Sequence, residues 1–139
     1  MNNFLLDTHI FLWSLLEPNR LLKNVAKELD DPDNEIWLSP ITTWETIILS
    51  EKGRIVLDDN PVAWMKNALD TLPLREAALN HEVARQSRVI QLPHQDPADR
   101  FIAASALVYG LTLVTADRNL INGAKKFQVL PNLKEGASP

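Results

Sequence analysis

The sequence contains no cysteine among its 139 residues. This absence excludes disulfide bonds, thiolate zinc sites, iron–sulfur clusters and cysteine nucleophiles, and it fits a reducing cytoplasm. Only four glycines are present, and none of them forms a glycine-rich loop. A P-loop nucleotide-binding enzyme is therefore excluded as well.

The sequence also lacks an excess of basic charge. Fourteen Lys and Arg residues against eighteen Asp and Glu residues give a net charge of −4, so bulk charge does not indicate a polybasic nucleic-acid or membrane-surface protein. Five of the acids belong to the motifs described below, and the rest of the chain then sums to +1. The negative total therefore does not argue against a nucleic-acid substrate.

No apolar run is long enough to cross a bilayer, which takes about 20 residues. The most apolar region, 101–114, is shorter and is interrupted by Ser105, Gly110 and Thr112. The first six residues carry no basic region, and Asp7 follows them at once, so we expect no signal peptide. We therefore predict a soluble, cytoplasmic protein that does not contact a membrane.

The length and pattern of the chain predict one α/β domain over residues 1–131 and a flexible C-terminal tail over 132–139. Short apolar runs alternate with helical segments, which favours a parallel sheet of about four or five strands. The predicted strands are 4–6, 35–38, 72–74, 111–114 and 127–130, with 72–74 at an edge because of Pro73. The predicted helices are 10–16, 21–29, 40–52, 61–70, 75–86, 97–109 and 117–123.

Two of the predicted strands end in an aspartate that precedes a helix. Asp7 directly follows the apolar run 4–6, and two residues separate Asp117 from the run 111–114. Either residue alone is better explained as a helix N-cap. Ligands of parallel sheets bind beyond the carboxyl ends of the strands, so both side chains are also candidates for a site.

Two further acids lie on the apolar stripes of predicted helices. Glu45 shares its stripe with Ile41, Ile48 and Leu49, and an unpaired carboxylate on such a face is costly. It either reaches water from the edge of the stripe or faces a cavity or ligand. Asp99 lies three residues before Ile102, as Glu45 lies three residues before Ile48. Asp96 and Asp99 together also resemble a capping box.

Taken together, these acids predict a divalent-cation site. The carboxylates of Asp7, Glu45, Asp99 and Asp117 would converge at one edge of the sheet, where like charges repel unless a cation neutralises them. Carboxylate oxygens suit Mg²⁺ or Mn²⁺. Such a site can polarise a phosphodiester and activate a water molecule.

Four segments resemble the motifs of PIN-domain ribonucleases, specifically the VapC-type toxins of bacterial toxin–antitoxin pairs. The match covers residues 3 to 131, and each motif is weak alone, whereas four in this order are fairly specific. The segments are Leu5-Leu6-Asp7-Thr8-His9-Ile10-Phe11-Leu12-Trp13, Ser39-Pro40-Ile41-Thr42-Thr43-Trp44-Glu45, Leu92-Pro93-His94-Gln95-Asp96-Pro97-Ala98-Asp99-Arg100 and Leu113-Val114-Thr115-Ala116-Asp117.

The resemblance implies a PIN-like three-layer fold and a metal-dependent endoribonuclease toxin that hydrolyses RNA. By match, Asp7, Glu45, Asp99 and Asp117 are the catalytic acids, and Asp96 is an accessory acid. Asp7, Asp99 and Asp117 are the expected ligands of Mg²⁺ or Mn²⁺. The resemblance also implies a cognate antitoxin and a homodimer.

The substrate contacts are less well defined by the sequence. Related sequences often carry a Lys shortly after the Glu45 motif, where this chain has Leu49-Ser50-Glu51-Lys52, so Lys52 is a candidate together with Arg100 and Arg118. For the two arginines, pairing with nearby carboxylates is the favoured explanation. His9 and His94 are more consistent with ordering of the loops than with binding a metal that prefers oxygen.

Other interpretations stay open at this stage. A non-catalytic PIN-like module that binds RNA or protein would share the fold. A haloacid-dehalogenase-type phosphatase would need a second acid where His9 stands, and a receiver domain would need paired acids after the first strand. The apolar helix 10–16 predicts a surface covered by a partner chain, whereas the four tryptophans are expected mainly in the core or at an interface.

Overall fold

The structure, a computed structural model, describes residues 1–58, 60–93 and 95–133. Its centre is a parallel sheet in the strand order β3-β2-β1-β4-β5, which confirms the predicted α/β class. The strands are β1 (Asn3–Leu6), β2 (Glu35–Leu38), β3 (Leu74–Glu76), β4 (Thr112–Thr115) and β5 (Val129–Pro131).

The central strand β1 brings together the strand ends that carry the acidic motifs. Leu5 lies opposite Trp37 of β2 on one side and opposite Leu113 of β4 on the other. Because all the strands run in the same direction, their carboxyl ends meet at one edge of the sheet. Asp7 therefore lies beside the end of β4, and its N–H donates to the carbonyl of Val114 at 3.0 Å.

Helices cover both faces of the sheet. Phe4 and Leu6 of β1 point into one apolar cluster and Leu5 points into another, as the alternation of side chains along a strand requires. The helices are α1 (Thr8–Leu16), α2 (Lys23–Asp30), α3 (Pro40–Glu51), α4 (Pro61–Thr71), α5 (His81–Val89), α6 (Pro97–Tyr109) and α7 (Arg118–Gly123), with a 3₁₀ turn at Pro18–Arg20.

Local capping signals placed the starts of α3, α4 and α6 and the end of α6 correctly. Ser39, Asn60 and Asp96 each cap a helix whose first residue is proline, and each side chain accepts a backbone N–H bond from the first turn. Gly110 ends α6 in the left-handed conformation with φ of 65°. Both devices satisfy backbone groups that a helix terminus leaves unpaired.

The region 72–86 differs from the sequence prediction. The edge strand is Leu74–Glu76 rather than 72–74, and α5 begins at His81 rather than at residue 75. Strand pairing extends this segment, because Arg75 lies opposite Trp37 and the N–H of Ala77 donates to the carbonyl of Leu38. The predicted edge position of this strand is confirmed.

Asn132, the first residue of the predicted tail, is held by the folded domain. This residue is buried, and its amide bonds to the backbone of Arg20 and of Leu22. Residues 134–139 of the predicted tail lie outside the described residues, as do Asp59 and His94.

Helix α1 is only partly available to a partner chain. Ile10, Phe11 and Leu12 are buried in the core, whereas Leu15 and Leu16 at its end are exposed. A partner surface on this helix can therefore include Leu15 and Leu16 but not the buried side chains of Ile10, Phe11 and Leu12. Within the described ranges, no helix is long and apolar enough to cross a membrane.

Candidate active site

A cleft of about 540 Å³ opens at the carboxyl edge of the sheet. It collects all five acids that the sequence motifs single out, and they come from four separate segments of the chain. Its lining consists of Asp7, Thr8, His9, Trp13, Arg20, Glu45, Asp96, Asp99, Ala116 and Asp117.

Asp7 is the most buried of these acids, with 6% of its surface exposed. One oxygen, Oδ1, accepts the N–H of Thr8 at 2.9 Å and so caps α1, while Oδ2 accepts the hydroxyl of Thr115 at 2.7 Å. Burial raises the pKa of Asp7 although these hydrogen bonds oppose the shift. The residue is thus both a helix cap and part of the cleft.

Asp117 is joined to Asp7 through Thr115. The Thr115 hydroxyl donates its proton to Asp7 and accepts the N–H of Asp117 at 3.0 Å. Asp117 in turn caps α7, because its Oδ1 accepts the N–H groups of Asn119 and Leu120. Capping engages only one of its carboxylate oxygens in these bonds, and the side chain still lines the cleft.

Glu45 enters the cleft from α3 and is held by a hydroxyl on α1. The Thr8 hydroxyl donates to Oε1 of Glu45 at 2.5 Å and lies 3.1 Å from the hydroxyl of Thr42. Since Thr8 has a single hydroxyl proton, Thr42 is the donor in the second bond. Burial raises the pKa of Glu45, and Asp7 adds to the shift.

Asp96 and Asp99 occupy the beginning of α6. Asp96 is the N-cap, accepting the N–H groups of Ala98 and Asp99, as predicted. Asp99 is half-buried, and its pKa is raised to about 8, first by burial and then by the charges of the other four acids. The cleft therefore concentrates more negative charge than its surroundings neutralise.

The donor set fits a hard divalent cation. All five acids supply carboxylate oxygens, which suit Mg²⁺ and Mn²⁺. In the described parts of the chain, no three Asp, Glu or His side chains already form a closed metal-ligand cluster. An open arrangement is compatible with Mg²⁺, which keeps several waters and takes only one or two carboxylates directly.

Arg100, which the sequence offers as a candidate for substrate contact or for pairing with a carboxylate, is not among the described residues that line the cleft. Its side chain is buried, and its guanidinium donates to the carbonyls of Ser87 at 2.7 Å and Ile90 at 2.6 Å. These carbonyls lie at the C-terminal end of α5, so Arg100 ties α5 to α6. Lys52 and Arg118 are not among the described residues that line the cleft, and their proposed contact with substrate stays a prediction.

The structure adds cleft residues that the sequence did not single out as parts of a site. Thr8 directly follows the catalytic candidate Asp7, and the hydroxyl at this position was the signal in the sequence that could have indicated its role. Trp13 lies one helical turn beyond His9, and their rings are 5.9 Å apart. Arg20 comes from the turn after α1, and nothing in its local sequence indicates that it lines the cleft.

Comparisons with known proteins identify the family to which the sequence motifs were compared. Residues 4–126 match the PIN domain family. A relative, Ribonuclease VapC22 from Mycobacterium tuberculosis, is 32% identical over 123 residues, which cover 86% of this chain and 91% of the relative.

Two solved structures share the fold at low sequence identity. A chain of the DNA-bound VapBC complex from Salmonella typhimurium has a TM-score of 0.69 and 17% identity, covering 96% of this chain and 100% of that one. A chain of VapBC2 from Rickettsia felis, bound to a promoter DNA fragment, has a TM-score of 0.66 and 14% identity, covering 93% and 98%.

Proposed function

The chain belongs to the PIN domain family, and from this premise we propose that it is a metal-dependent endoribonuclease toxin that a cognate antitoxin neutralises. The substrate is RNA, and the reaction is hydrolysis of a phosphodiester bond. The observation that carries the proposal is the convergence of Asp7, Glu45, Asp99 and Asp117 on one cleft from four separate segments. The name of the relative, Ribonuclease VapC22, supports the same reaction.

Three carboxylates are proposed to hold the metal. Asp7 and Asp117 are fixed by the same Thr115 hydroxyl, and Asp99 faces them from the first turn of α6. A Mg²⁺ or Mn²⁺ held by these residues would stabilise the charge of the phosphodiester and would help to activate a water molecule. Asp96 keeps α6 in place as its N-cap and adds negative charge at the rim.

Glu45 is proposed to orient the attacking water. Thr8 donates to its Oε1, which leaves Oε2 available to accept a hydrogen bond, and then a proton, from that water. The raised pKa of Glu45 brings its basicity closer to neutral pH, where general bases work best. In this arrangement Thr8 and Thr115 position the acids without touching the substrate.

The antitoxin and the homodimer are proposed from the structural neighbours and from an exposed apolar surface, not from the acidic cleft. The structural neighbours are described as VapBC complexes, and the last turn of α1 exposes Leu15 and Leu16, which a partner chain can cover. A cytoplasmic location fits the absence of cysteine. Light scattering of the purified protein should give the mass of a dimer, and a monomer would remove the dimer from the proposal.

Sequencing of new RNA 5′ ends tests the proposed reaction. Total bacterial RNA is incubated with the purified protein in Mn²⁺ or in EDTA, and an Asp7→Asn variant is the matched control. We expect discrete new ends with the wild type in Mn²⁺ and none with the variant or in EDTA. A wild-type protein that binds RNA but creates no ends would instead support the non-catalytic PIN-like module.

A further inference from the structure

Arg20 is a cation at the edge of the acidic cleft. Its guanidinium carbon lies 4.2 Å from the centre of the Trp13 ring, and its Nη1 donates to Glu17 at 3.2 Å. Among the described residues, Arg20 is the sole Lys or Arg that lines the cleft. A permanent positive charge therefore stands beside five carboxylates.

The turn that carries Arg20 is tied to the centre of the site. Nδ2 of Asn132 donates to the carbonyl of Arg20 at 3.1 Å, and its Oδ1 accepts the N–H of Leu22 at 2.8 Å. The N–H of Asn132 donates to the carbonyl of Thr115 at 2.8 Å. Thr115 is the residue whose hydroxyl links Asp7 to Asp117, so the position of the turn is coupled to that of the catalytic candidates.

The charge of the cleft makes such a cation useful to an RNA nuclease. RNA phosphates are repelled by carboxylates, so a metal at the scissile phosphate leaves the neighbouring phosphates without a partner. Arginine offers five N–H donors in a planar fork that matches phosphate. Within the described chain, one N–H donor of Arg20 is bonded to Glu17. Exposed ion pairs of this kind are weak, so a phosphate can displace Glu17.

Trp13 restricts the freedom of the Arg20 side chain. Contact with the ring face holds the guanidinium through a cation–π interaction, and Trp13 is itself half-buried on α1. A side chain that is already ordered loses less conformational entropy when it binds a ligand.

We propose that Arg20 binds a phosphate of the RNA next to the scissile one, with Trp13 holding its guanidinium in position. This inference rests on the proposed function, because it assigns the substrate contact of the same cleft. Arg20 takes the place of Arg100 among the candidate substrate-binding residues.

The test measures RNA binding rather than cleavage. Fluorescence anisotropy of a labelled pool of short random-sequence single-stranded RNA is recorded in Mg²⁺ over a range of salt concentrations. All proteins carry Asp117→Asn to prevent cleavage. Arg20→Ala is compared with Arg85→Ala, a matched control, because Arg85 is also exposed and pairs with an acid three residues earlier, Glu82.

Arg20→Ala should weaken RNA binding about tenfold or more, the scale of one charge-assisted hydrogen bond. It should also reduce the slope of log affinity against log salt by about 0.7, the value for one phosphate contact on a single strand. Arg20→Lys should keep the salt slope but lose part of the affinity, since it keeps the charge without the fork. Arg85→Ala should leave both unchanged.

Equal RNA affinity of the Arg20→Ala and Arg85→Ala variants would overturn the proposal. If Arg20→Ala then weakened the binding of a partner protein, Arg20 would belong to a protein interface and not to the RNA site. An affinity loss with an unchanged salt slope would overturn it too, because Arg20 would then act through the shape of the cleft. Failure of the wild type to cleave RNA would count against the proposed function alone, since the binding measurement does not depend on cleavage.

Discussion

The hydroxyl of Thr115 lies 2.7 Å from Oδ2 of Asp7 and donates a hydrogen bond to it. The two residues are 108 positions apart in sequence and become neighbours because β1 and β4 are adjacent parallel strands. The same hydroxyl accepts the N–H of Asp117. One buried side chain thus fixes two of the acids that we propose as metal ligands.

Thr115→Val should weaken metal binding while nearly conserving side-chain volume. Loss of the hydroxyl leaves the Asp7 carboxylate and the Asp117 N–H without this partner, which should reduce the free energy of unfolding by about 1–3 kcal/mol. Affinity for Mn²⁺, measured by calorimetric titration, should fall about 10- to 100-fold, as for other groups that orient metal ligands.

Thr112→Val is the matched control on the same strand. The Thr112 hydroxyl is 3.3 Å from Oε1 of Gln128 and lies at the opposite end of β4. This variant should keep Mn²⁺ affinity and change stability by less than about 0.5 kcal/mol. Equal losses of Mn²⁺ affinity in the two variants would contradict the role assigned to Thr115.

The pKa of Asp99 predicts how the stability of the metal-free protein depends on pH. This carboxyl has a pKa of about 8 in the folded protein against a usual value of 3.8, so between these values the folded state binds more protons than the unfolded state. Its contribution to the free energy of unfolding therefore falls as pH rises from about 4 to about 8.

Asp99→Asn removes this contribution. Melting curves in EDTA should show similar stability of the variant and the wild type near pH 4, and a variant that is increasingly more stable towards pH 8. Addition of Mg²⁺ should raise the melting temperature of the wild type more than that of the variant. A variant that is less stable than the wild type at pH 8 would contradict the account.

Local signals in the sequence predicted much of the fold. Ser39-Pro40, Asp96-Pro97 and Gly110 place helix ends correctly because a cap acts through its own neighbours. The edge strand Leu74–Glu76 was misplaced because its pairing with β2 is not visible in the local sequence. The start of α5 was misplaced because Asn80, which caps the helix by accepting the N–H of Val83, was not recognised as its N-cap.

In the candidate site, too, some residues can be predicted from local sequence and others depend on the folded chain. Asp7 and Asp117 follow from the rule that parallel strands end at a common edge, and Glu45 follows from its place on an apolar stripe. Arg20 and Asn132 could not be predicted, because each depends on where an irregular segment crosses the folded protein. The buried position of Arg100 could not be predicted either, because sequence proximity to Asp99 does not reveal that its side chain turns towards α5.

Arg100→Met should destabilise the protein without affecting RNA binding. Methionine fills part of the buried volume but donates no hydrogen bonds, so the carbonyls of Ser87 and Ile90 lose their partner. We expect a loss on the order of 3 kcal/mol in urea denaturation. Arg118→Met, at a half-exposed position, should cost less than about 0.5 kcal/mol. A stable Arg100→Met protein with weakened RNA binding would restore the phosphate role to Arg100.

Asn132→Ala should reduce both stability and RNA affinity. The backbone groups of Arg20 and Leu22 lose their partners, which should cost about 2 kcal/mol in the free energy of unfolding. The anisotropy of labelled RNA should also show weaker binding, because the turn that carries Arg20 is no longer tied to Thr115. Asn122→Ala, at an exposed position, should change neither quantity, and unchanged RNA affinity of Asn132→Ala would separate Asn132 from substrate binding.

The central claim is that the acids of the cleft perform metal-dependent RNA hydrolysis, and the cleavage rate of Glu45→Gln tests it most directly. The change conserves size and removes the proposed proton acceptor, while Glu51→Gln makes the same change at an exposed position of the same helix. In Mn²⁺, Glu45→Gln should cleave RNA slower by a factor on the order of 10² or more, with an equal or higher melting temperature. Glu51→Gln should cleave at the wild-type rate. A folded Glu45→Gln protein that cleaves RNA as fast as Glu51→Gln would contradict the account.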